Sequence, residues 1–349
     1  MSGSSPQRPP RPRFRALVAV LLLAPLVVGL ALWAFAWPAA RTAPRDLPVG
    51  VAGSPAAVAA VEQKLSADED AFEVHRYGDE AAARDAIERR EIYGAVVATP
   101  KGPRALTASA ASPVVAQALQ QMASGHPPSG TAPGTAPGAA SGAADVVPAP
   151  KADPRGAALS SSVLPMAIGG VAAGAMVVTL GLRGTRAFAG LLGAAALVGA
   201  VAAGITHSWL DVLTGDWWAE SASFGLISLA VSAGVAGLGT LLGPAGIGLG
   251  AMTMVLFGNP FSGVTSAPEM LPRPLGEVGQ WLPPGAGGTL LRSVGFFDGQ
   301  AVDSPVLVLT VWAVAGLTLV TIGGLRRQSR PAAEEETPVR AQPAGVPAA

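Results

Sequence analysis

The sequence predicts a polytopic α-helical membrane protein with six transmembrane helices and a small α/β extracytoplasmic domain between the first and the second. Half of its 349 residues are hydrophobic and only 13% are charged, whereas soluble domains carry about 25% charged residues. The mean hydropathy is correspondingly positive, at +0.43. Six apolar runs contain no charged residue, and a membrane crossing needs about 20 mostly apolar residues. The predicted spans are 16–37, 159–182, 187–206, 223–242, 245–258 and 305–325.

Composition also excludes several classes of function. The 23 Lys and Arg residues balance 23 Asp and Glu residues, so the net charge does not attract nucleic acid and we expect no nucleic-acid partner. The chain has no cysteine, which excludes disulfides, thiolate metal sites and cysteine nucleophiles. Three histidines in the whole chain argue against a histidine-built metal centre. We therefore expect no metal, no cofactor and no enzymatic activity.

The first apolar run follows a basic segment, 1–15, which is predicted to be cytoplasmic. A cleaved secretory signal is the alternative interpretation, because small residues at 36–40 would suit a signal peptidase. The apolar core of a signal peptide is only about 7–15 residues long, shorter than the run 16–37. An uncleaved first transmembrane helix is therefore favoured. The arginines of the basic segment are Arg8, Arg11, Arg13 and Arg15.

Residues 38–124 have the pattern of a small α/β domain outside the membrane. Short strand-like runs at 47–53, 72–77 and 94–100 are separated by two segments with helical character. This alternation predicts parallel strands joined by right-handed crossovers. A fourth strand at ALTASA and a helix over 113–123 follow. The first strand–helix turn, GVAGSP, matches neither the dinucleotide nor the Walker phosphate-binding pattern, so a plain capped turn is expected.

Two segments are predicted to be disordered. Residues 125–158 contain tandem TAPG units and are dense in Pro, Gly, Ala and Ser, a composition that does not form a packed core. They are predicted to tether the outer domain to the second span. The tail, 326–349, is predicted to be a disordered cytoplasmic segment.

Charge asymmetry predicts the orientation of the spans in the plasma membrane. The outer loop 207–222 holds three carboxylates and no Lys or Arg, and the loop 259–304 holds two arginines. The positive-inside rule then predicts six spans with both termini in the cytoplasm. The run 245–258 is the shortest, reaching only about 21 Å, so a segment that dips in without crossing is the alternative. The arginines assigned to the cytoplasmic side beyond the first segment are Arg183, Arg186, Arg326, Arg327 and Arg330.

The six runs are free of ionisable residues and rich in small ones. The absence of Asp, Glu, Lys, Arg and His argues against a charged site at the membrane midplane, as in ion-coupled carriers. Glycines four residues apart allow helices to approach closely. Two interpretations are open, packing within the subunit or an interface in a homodimer or heterodimer. The glycines concerned are Gly170, Gly174, Gly239, Gly243, Gly246 and Gly250.

The loop 259–304 is too apolar and too rich in proline for an ordinary solvated loop. LGEVGQWL at 275–282 and GTLLRSVGFF at 288–297 are predicted to form short helices that lie in, or dip into, the membrane interface. Pro283 and Pro284 are expected to break the helical path between them. Such irregular backbone at membrane depth must be covered by protein or face water. The sequence thus predicts a re-entrant-like outer loop.

The motifs NPFSG, APEMLP, LPPGAGGTLLRS and FFDG resemble the segment between the last two spans of ABC-2-type transporter permeases. The resemblance is closest to the branch with a large extracytoplasmic insertion after the first span, which includes the phage infection protein family. LPVGVAG and IYGAVVATP of the insertion also resemble that branch. The resemblance implies a permease subunit that exports a hydrophobic or amphipathic substrate and pairs with a separate ABC ATPase. The chain departs from an autonomous transporter because it has no Walker A motif and very short inner loops.

The resemblance also implies an outer gate or substrate path built from the last outer loop. Asn259, Pro260, Pro283 and Pro284 are expected to shape the gate. Three interpretations of Arg292 are open: contact with an anionic head group, an ion pair with Glu269 or Glu277, or snorkelling to the interface. The residues predicted for this path are Asn259, Pro260, Glu269, Pro283, Pro284 and Arg292.

Two other classes of function compete with transport. In one, the protein is a non-transporting surface or sensing protein whose spans anchor the extracytoplasmic domain in the lipid bilayer. In the other, it is a membrane-embedded enzyme, which would need a base beside a nucleophile at membrane depth. The spans supply serines such as Ser228 and Ser232 but no base, which argues against the enzyme.

Overall fold

A computed structural model describes residues 14–65, 70–100, 102–124 and 143–328. Residues 1–13 of the predicted basic segment, 125–142 of the predicted tether and 329–349 of the predicted tail lie outside these residues. The last helix continues to Gln328, which corrects the predicted start of the tail at 326. The described helices are α1 (Phe14–Ala40), α2 (Pro55–Leu65), α3 (Glu80–Glu88), α4 (Pro113–Ala123), α5 (Ala157–Thr179), α6 (Gly184–Ala203), α7 (Trp217–Leu242), α8 (Pro244–Ala251), α9 (Leu275–Gln280), α10 (Pro283–Phe296) and α11 (Asp303–Gln328). The described strands are β1 (Leu47–Gly53), β2 (Phe72–Tyr77), β3 (Gly94–Thr99), β4 (Gly102–Thr107) and β5 (Ala144–Asp145).

Five of the described helices are long and apolar enough to cross a membrane, so the chain is a multi-pass membrane protein. The segment that corresponds to the fifth predicted run is a shorter apolar helix, Pro244–Gly258, in which α8 continues into widened π-helical turns. Several helices extend past the charge-free runs, because polar residues cap them. The Asp216 carboxylate, for example, accepts a hydrogen bond from the Ala219 amide at 2.8 Å and starts α7. The five long helices are Leu21–Ala40, Ala157–Thr179, Gly184–Trp209, Trp217–Leu242 and Asp303–Gly324.

Helix α7 is the centre of the membrane part, and α5, α6, α8, α10 and α11 pack around it. Helices α5 and α11 run parallel to α7, whereas α6 and α8 run antiparallel to it. Helix α1 stands apart from this bundle, with most of its large apolar side chains exposed, and its contacts go mainly to residues 252–262. We call the end of the bundle that carries the α/β domain the domain end, and the opposite end the distal end.

Small residues let these helices approach closely. A Cβ atom built on Gly174 would lie 2.4 Å from the Ser232 carbonyl oxygen, and one on Gly246 would lie 2.0 Å from the Leu238 carbonyl oxygen. Gly170, Gly239 and Gly250 likewise face neighbouring helices of the same chain. The structure therefore uses five of the six singled-out glycines for packing within the subunit.

Gly243 differs from the other five glycines. Its φ is +65°, and no other group lies within 4 Å of the position that a Cβ would occupy. It forms the one-residue turn between α7 and α8. This left-handed conformation favours glycine for its backbone freedom rather than for its size. The expected packing role of Gly243 is therefore corrected to a role in the turn.

The α/β domain contains one sheet with the strand order β2-β1-β3-β4-β5. The three predicted strands β1, β2 and β3 are parallel, with β1 in the middle, and β4 adds to β3 in the antiparallel direction. Consecutive residues of β1 and β3 are buried, because α2 and α4 pack on one face of the sheet and α3 packs on the other. The β1–α2–β2–α3–β3 order follows from the sequence pattern, because parallel neighbours need helical crossovers.

The second half of the predicted tether is ordered, which corrects the range 125–158. Residues 144–145 form β5, and the Val146 amide donates to the Thr107 carbonyl at 2.7 Å. The buried Asp153 carboxylate accepts hydrogen bonds from the first amides of α5, at 2.7 Å from Ala157 and 2.8 Å from Ala158. The composition of the tether does not predict this ordered end, because a few valines and one capping carboxylate are enough to hold it against the domain and α5.

The loop 259–304 is structured and enters the bundle from the domain end. It forms short 3₁₀ turns at Pro260–Ser262 and Pro268–Met270, then α9 and α10. The Trp312 indole, a full two turns into α11, donates to the Trp281 carbonyl at 2.9 Å, and Gly287 of α10 lies against Ile227 of α7. Helix α10 therefore starts among the spanning helices and rises to the domain end.

Pro283 and Pro284 begin α10 instead of breaking a helical path. Proline suits the first positions of a helix, where the backbone N–H has no partner in any case. Leu282, which precedes them, is extended, with φ −102° and ψ 145°. The break thus lies before the prolines, between α9 and α10, and the second predicted short helix starts five residues earlier than GTLLRSVGFF suggests.

Candidate functional site

Two cavities flank the loop 259–282 at the domain end. The first, which we call the domain cavity, has a volume of about 510 Å³ and lies between β1, the α3–β3 connection and the loop. The second, which we call the α1–α5 groove, has a volume of about 930 Å³ and lies between α1, α4, α5 and residues 259–271. Volumes of a few hundred to about 1,000 Å³ are typical of small-molecule sites. Both cavities are therefore large enough for a ligand.

Arg90 connects the α/β domain to α10 across the domain cavity. Its Nη1 donates to the Thr289 carbonyl at 3.0 Å and to the Ser293 hydroxyl at 2.5 Å. Its guanidinium also stacks 5.2 Å from the centre of the Phe297 ring, a cation–π contact. Burial lowers the pKa of Arg90, while the nearby Tyr93 and Glu269 act in the opposite direction.

Tyr93 makes the second polar contact between the domain and the loop. Its hydroxyl donates to Glu269 Oε2 at 2.9 Å. Burial of the phenol raises its pKa far above the ordinary value, and the negative charge of Glu269 adds to this shift. Tyr93 is therefore a neutral hydrogen-bond donor at neutral pH, and it holds the Pro268–Met270 turn on the domain.

Arg292 is buried at the base of the domain cavity. Its side chain is 6% exposed, and its Nη2 donates to the Val264 carbonyl at 2.6 Å. Burial and the repulsion of Arg90 lower the pKa of Arg292 to about 10, so it remains protonated at neutral pH. The position rules out snorkelling, and neither Glu269 nor Glu277 forms an ion pair with it in the described part of the chain.

The rim of the domain cavity carries further charge. Arg273 forms an ion pair with Asp46. Arg45 donates to the carbonyls of Ala43 at 2.9 Å and Met270 at 3.1 Å, so it joins the connection between α1 and β1 to the loop. Burial together with the neighbouring arginines lowers the pKa of Arg45. The apolar part of the wall includes Ile92, Leu271, Trp281 and Phe297.

The predicted path residues divide between the two cavities. Asn259 and Pro260 line the α1–α5 groove, and Glu269 and Arg292 line the domain cavity. Pro283 and Pro284 line neither, because they are buried where α10 meets Gly258. The structure therefore does not bring the six residues together in one site.

Arg90 and Tyr93 are site residues that the sequence analysis did not select. Arg90 has a φ of +60° just after the end of α3, a position where glycine is usual. An arginine at the end of a helix also interacts favourably with the helix dipole, and this local role gives no sign of the contact with α10. Tyr93 sits at the start of β3 beside a glycine, and nothing local marks it as a partner of Glu269, 176 residues away.

A second buried polar pair lies at the domain end of the bundle. His207 Nδ1 is 3.0 Å from Glu220 Oε2, and the Gly215 amide donates to Glu220 Oε1 at 2.9 Å. Glu220 is fully buried in the first turn of α7, whereas His207 lies in the π-helical end of α6. The bounds of the charge-free runs predict that both residues lie in the loop 207–222. The helical segments of α6 and α7 extend past the predicted runs and bring both residues into the packed bundle. There the Glu220 carboxylate contacts His207 and Gly215 and so holds the α6–α7 connection in place.

Fold and site together define a polytopic helical membrane protein whose α/β domain is docked on the loop 259–304. The described residues contain no group of three or more His, Cys, Asp or Glu side chains that could hold a metal ion. No protein-family model matches the chain, and comparisons with curated proteins and with solved structures find no match.

Proposed function

We propose that the chain is the membrane permease subunit of an ABC-2-type export system, which moves a hydrophobic or amphipathic substrate with a separate ATPase. The proposal rests on the motifs of the last outer loop. The structural observation that supports it is the α1–α5 groove. This cavity opens between a loosely packed α1 and the bundle, so it offers an amphipathic molecule a lateral path at the membrane surface.

In this proposal the chain crosses the plasma membrane six times, with both termini in the cytoplasm. Helix α8 leaves the distal end of α7 and runs antiparallel to it. Glu269, only 18 residues beyond the end of α8, bonds to Tyr93 of the domain. The short helix, its π turns and the following 3₁₀ turn thus supply the remaining crossing. The distal end then carries Arg183 and Arg186, as the positive-inside rule requires of a cytoplasmic side.

The α/β domain would act on the substrate path through the re-entrant loop. Arg90 and Tyr93 tie the domain to α10 and to the Pro268–Met270 turn. The same loop provides Asn259 and Pro260 to the α1–α5 groove. A movement of the domain is therefore transmitted to the wall of the groove without an additional connection.

The test is purification of the full chain from its own membranes, followed by assays for a co-purifying Walker-type ATPase and for ATP hydrolysis. We expect hydrolysis that depends on the chain and falls several-fold in an Arg183→Ala/Arg186→Ala variant, since these residues lie on the inner face. An Arg84→Ala variant, altered in the α/β domain, serves as the matched control. Absence of an associated ATPase would overturn the proposal.

A non-transporting surface or sensing protein is the second candidate. The short distal turns favour it, because only residues 180–183 join α5 to α6 and Gly243 joins α7 to α8. Such a face offers an ATPase little surface. If the cellular phenotype survives the Arg183→Ala/Arg186→Ala change but is lost on deletion of residues 47–124, with the membrane part still assembled, the sensing function replaces transport.

A further inference from the structure

Arg292 is a buried cation to which the described chain supplies no counter-ion. Its one hydrogen bond goes to a neutral carbonyl, and no carboxylate lies within 4.0 Å of it. Buried charges are normally paired, because a desolvated ion loses more hydration energy than neutral partners return. The guanidinium lines the domain cavity and has donors beyond the one used for Val264. The site is thus suited to an anion that comes from outside the chain.

Two further arginines of the cavity, the half-buried Arg45 and Arg90, also have no carboxylate partner among the described residues. Arg90 bonds only to the Thr289 carbonyl and the Ser293 hydroxyl, and Arg45 bonds only to backbone carbonyls. Three of the four arginines that line the cavity therefore have neutral partners. Arg273, by contrast, forms an ion pair with Asp46.

The lining of the cavity carries four arginines and three carboxylates, so one positive charge is in excess. Asp46 is occupied by Arg273, and Glu269 accepts the Tyr93 hydroxyl. Glu277 is the third carboxylate on the wall. Glu269 is close enough to raise the pKa of Arg90 and Arg292, yet it pairs with neither. The interior of the cavity is therefore positive beside Arg90 and Arg292.

We propose that the domain cavity binds the phosphate-type head group of an anionic amphiphile. Arginine guanidinium groups suit such oxyanions, because their N–H donors match the geometry of two oxygens. The apolar wall of Leu271, Trp281 and Phe297 accepts the adjoining part of the molecule. The inference deepens the proposed function, on which its substrate class rests: the exported molecule, or a lipid that regulates export, carries an acidic head group.

Binding is measured on the full-length chain in nanodiscs of phosphatidylcholine. Dihexanoyl phosphatidic acid, dihexanoyl phosphatidylcholine and inorganic phosphate are titrated separately, with calorimetry and thermal unfolding as readouts. We expect saturable binding and a raised Tm with phosphatidic acid, at least tenfold weaker binding of phosphate, and no response to added phosphatidylcholine. Phosphate that binds as tightly as phosphatidic acid would support the oxyanion site and assign it to a soluble ligand.

Two variants with opposite expected signs test the charge argument. Arg292→Gln should weaken binding of phosphatidic acid at least tenfold, whereas Arg84→Gln, which alters an arginine outside the cavity, should leave it unchanged. Glu269→Gln keeps an acceptor for Tyr93 and removes a negative charge, so it should strengthen binding several-fold. Damage to the folded structure would weaken binding in both variants, so it does not explain weaker binding in one and stronger binding in the other. If Arg292→Gln fails to fold, Glu269→Gln still provides the test.

Several results would overturn the inference. They are the absence of binding of either oxyanion to the unaltered protein, unchanged affinity in Arg292→Gln, and weaker binding in Glu269→Gln. The assay contains no ATPase and no transport step. A failure to bind would therefore leave the permease proposal standing, and the absence of an associated ATPase would leave the binding site standing.

Discussion

Arg90 occupies a backbone conformation that normally selects glycine, and its side chain joins two parts of the molecule. A non-glycine residue in the left-handed region costs roughly 1 kcal/mol. The contacts with Thr289, Ser293 and Phe297 offset that cost. The backbone conformation of Arg90 destabilises the fold and its side-chain contacts stabilise it, and two different substitutions can measure these effects separately.

Two substitutions of Arg90 should separate backbone strain from side-chain contact. Both Arg90→Ala and Arg90→Gly remove the contacts with α10, but only glycine relieves the positive φ of +60°. We expect Arg90→Gly to be more stable than Arg90→Ala by about 1 kcal/mol. Thermal and denaturant unfolding of the detergent-solubilised protein measures the difference. Equal stability of the two variants would show that the left-handed conformation is not retained in solution.

Tyr93 should make the protein sensitive to alkaline pH. Its pKa is higher in the folded state than the ordinary value of 10.0, so folding favours the neutral phenol. Stability from this group is complete below about pH 10 and decreases as the pH rises further, by up to about 1.4 kcal/mol per pH unit. We expect Tyr93→Phe to lose less stability than the unaltered protein between about pH 10 and 11.

The chain has only two tyrosines, which makes the alkaline measurement direct. Tyrosinate absorbance follows both groups, and unfolding at each pH gives the stability. Tyr77→Phe is the control, because the pKa of Tyr77 is raised by a less complete burial. A Tyr93→Phe protein as sensitive to alkali as the unaltered one would contradict the assignment.

At the scale of elements, the α5–α7 contact depends on the absence of a side chain. A methyl group on Gly174 would lie 2.4 Å from the Ser232 carbonyl oxygen, whereas one on Gly169 of the same helix meets no other group within 4 Å. Both positions are helical, so alanine brings the same gain in helix propensity to each. The pair isolates the cost of overpacking.

We expect Gly174→Ala to lower the free energy of unfolding by about 1–3 kcal/mol. Gly169→Ala should instead raise it by roughly 0.5–1 kcal/mol through helix propensity. Unfolding of the two variants in the same detergent provides the comparison. Similar values for both would mean that α5 does not approach α7 as closely as described.

The elements also show where sequence patterns suffice. The crossover order of β1, β2 and β3 follows from alternating strands and helices, since the pattern is local. The pattern does not predict strand β5 or the α5 cap at Asp153. Each consists of only one or two residues, and each forms because a partner is in reach, Thr107 for β5 and the first turn of α5 for Asp153. The effect of Pro283 cannot be predicted from the sequence either, because a proline is common both just after the end of a helix and at the start of one.

At the scale of the molecule, the number of crossings is open to a direct test, because the chain contains no cysteine. Leu242 at the distal end and Gln300 at the domain end are both exposed. With six crossings, Leu242→Cys reacts with a membrane-impermeant maleimide only from the cytoplasmic side, and Gln300→Cys only from outside. If both single-cysteine proteins react from the same side, the segment 244–258 does not cross the membrane.

The candidate site is a property of the whole molecule more than of any motif. Glu269 and Arg292 were predicted in the last outer loop, but their surroundings come from the α/β domain. Tyr93 lies 176 residues from its partner Glu269, and Arg90 lies 203 residues from Ser293. No periodicity within a single segment encodes such pairs. The unpaired charge of Arg292 becomes visible only when every carboxylate around it has been located.

Local sequence patterns suffice to predict a membrane protein, the positions of its long apolar helices and a small α/β domain after the first of these helices. Those features depend on local quantities, namely the length of charge-free runs and the alternation of strand and helix patterns. Packing between distant segments instead determines that the domain contacts α10 and the Pro268–Met270 turn, that five glycines pack within the subunit, and that Arg292 is buried with no counter-ion among the described residues. Those features depend on which distant groups meet, because burial and charge pairing arise from packing between segments.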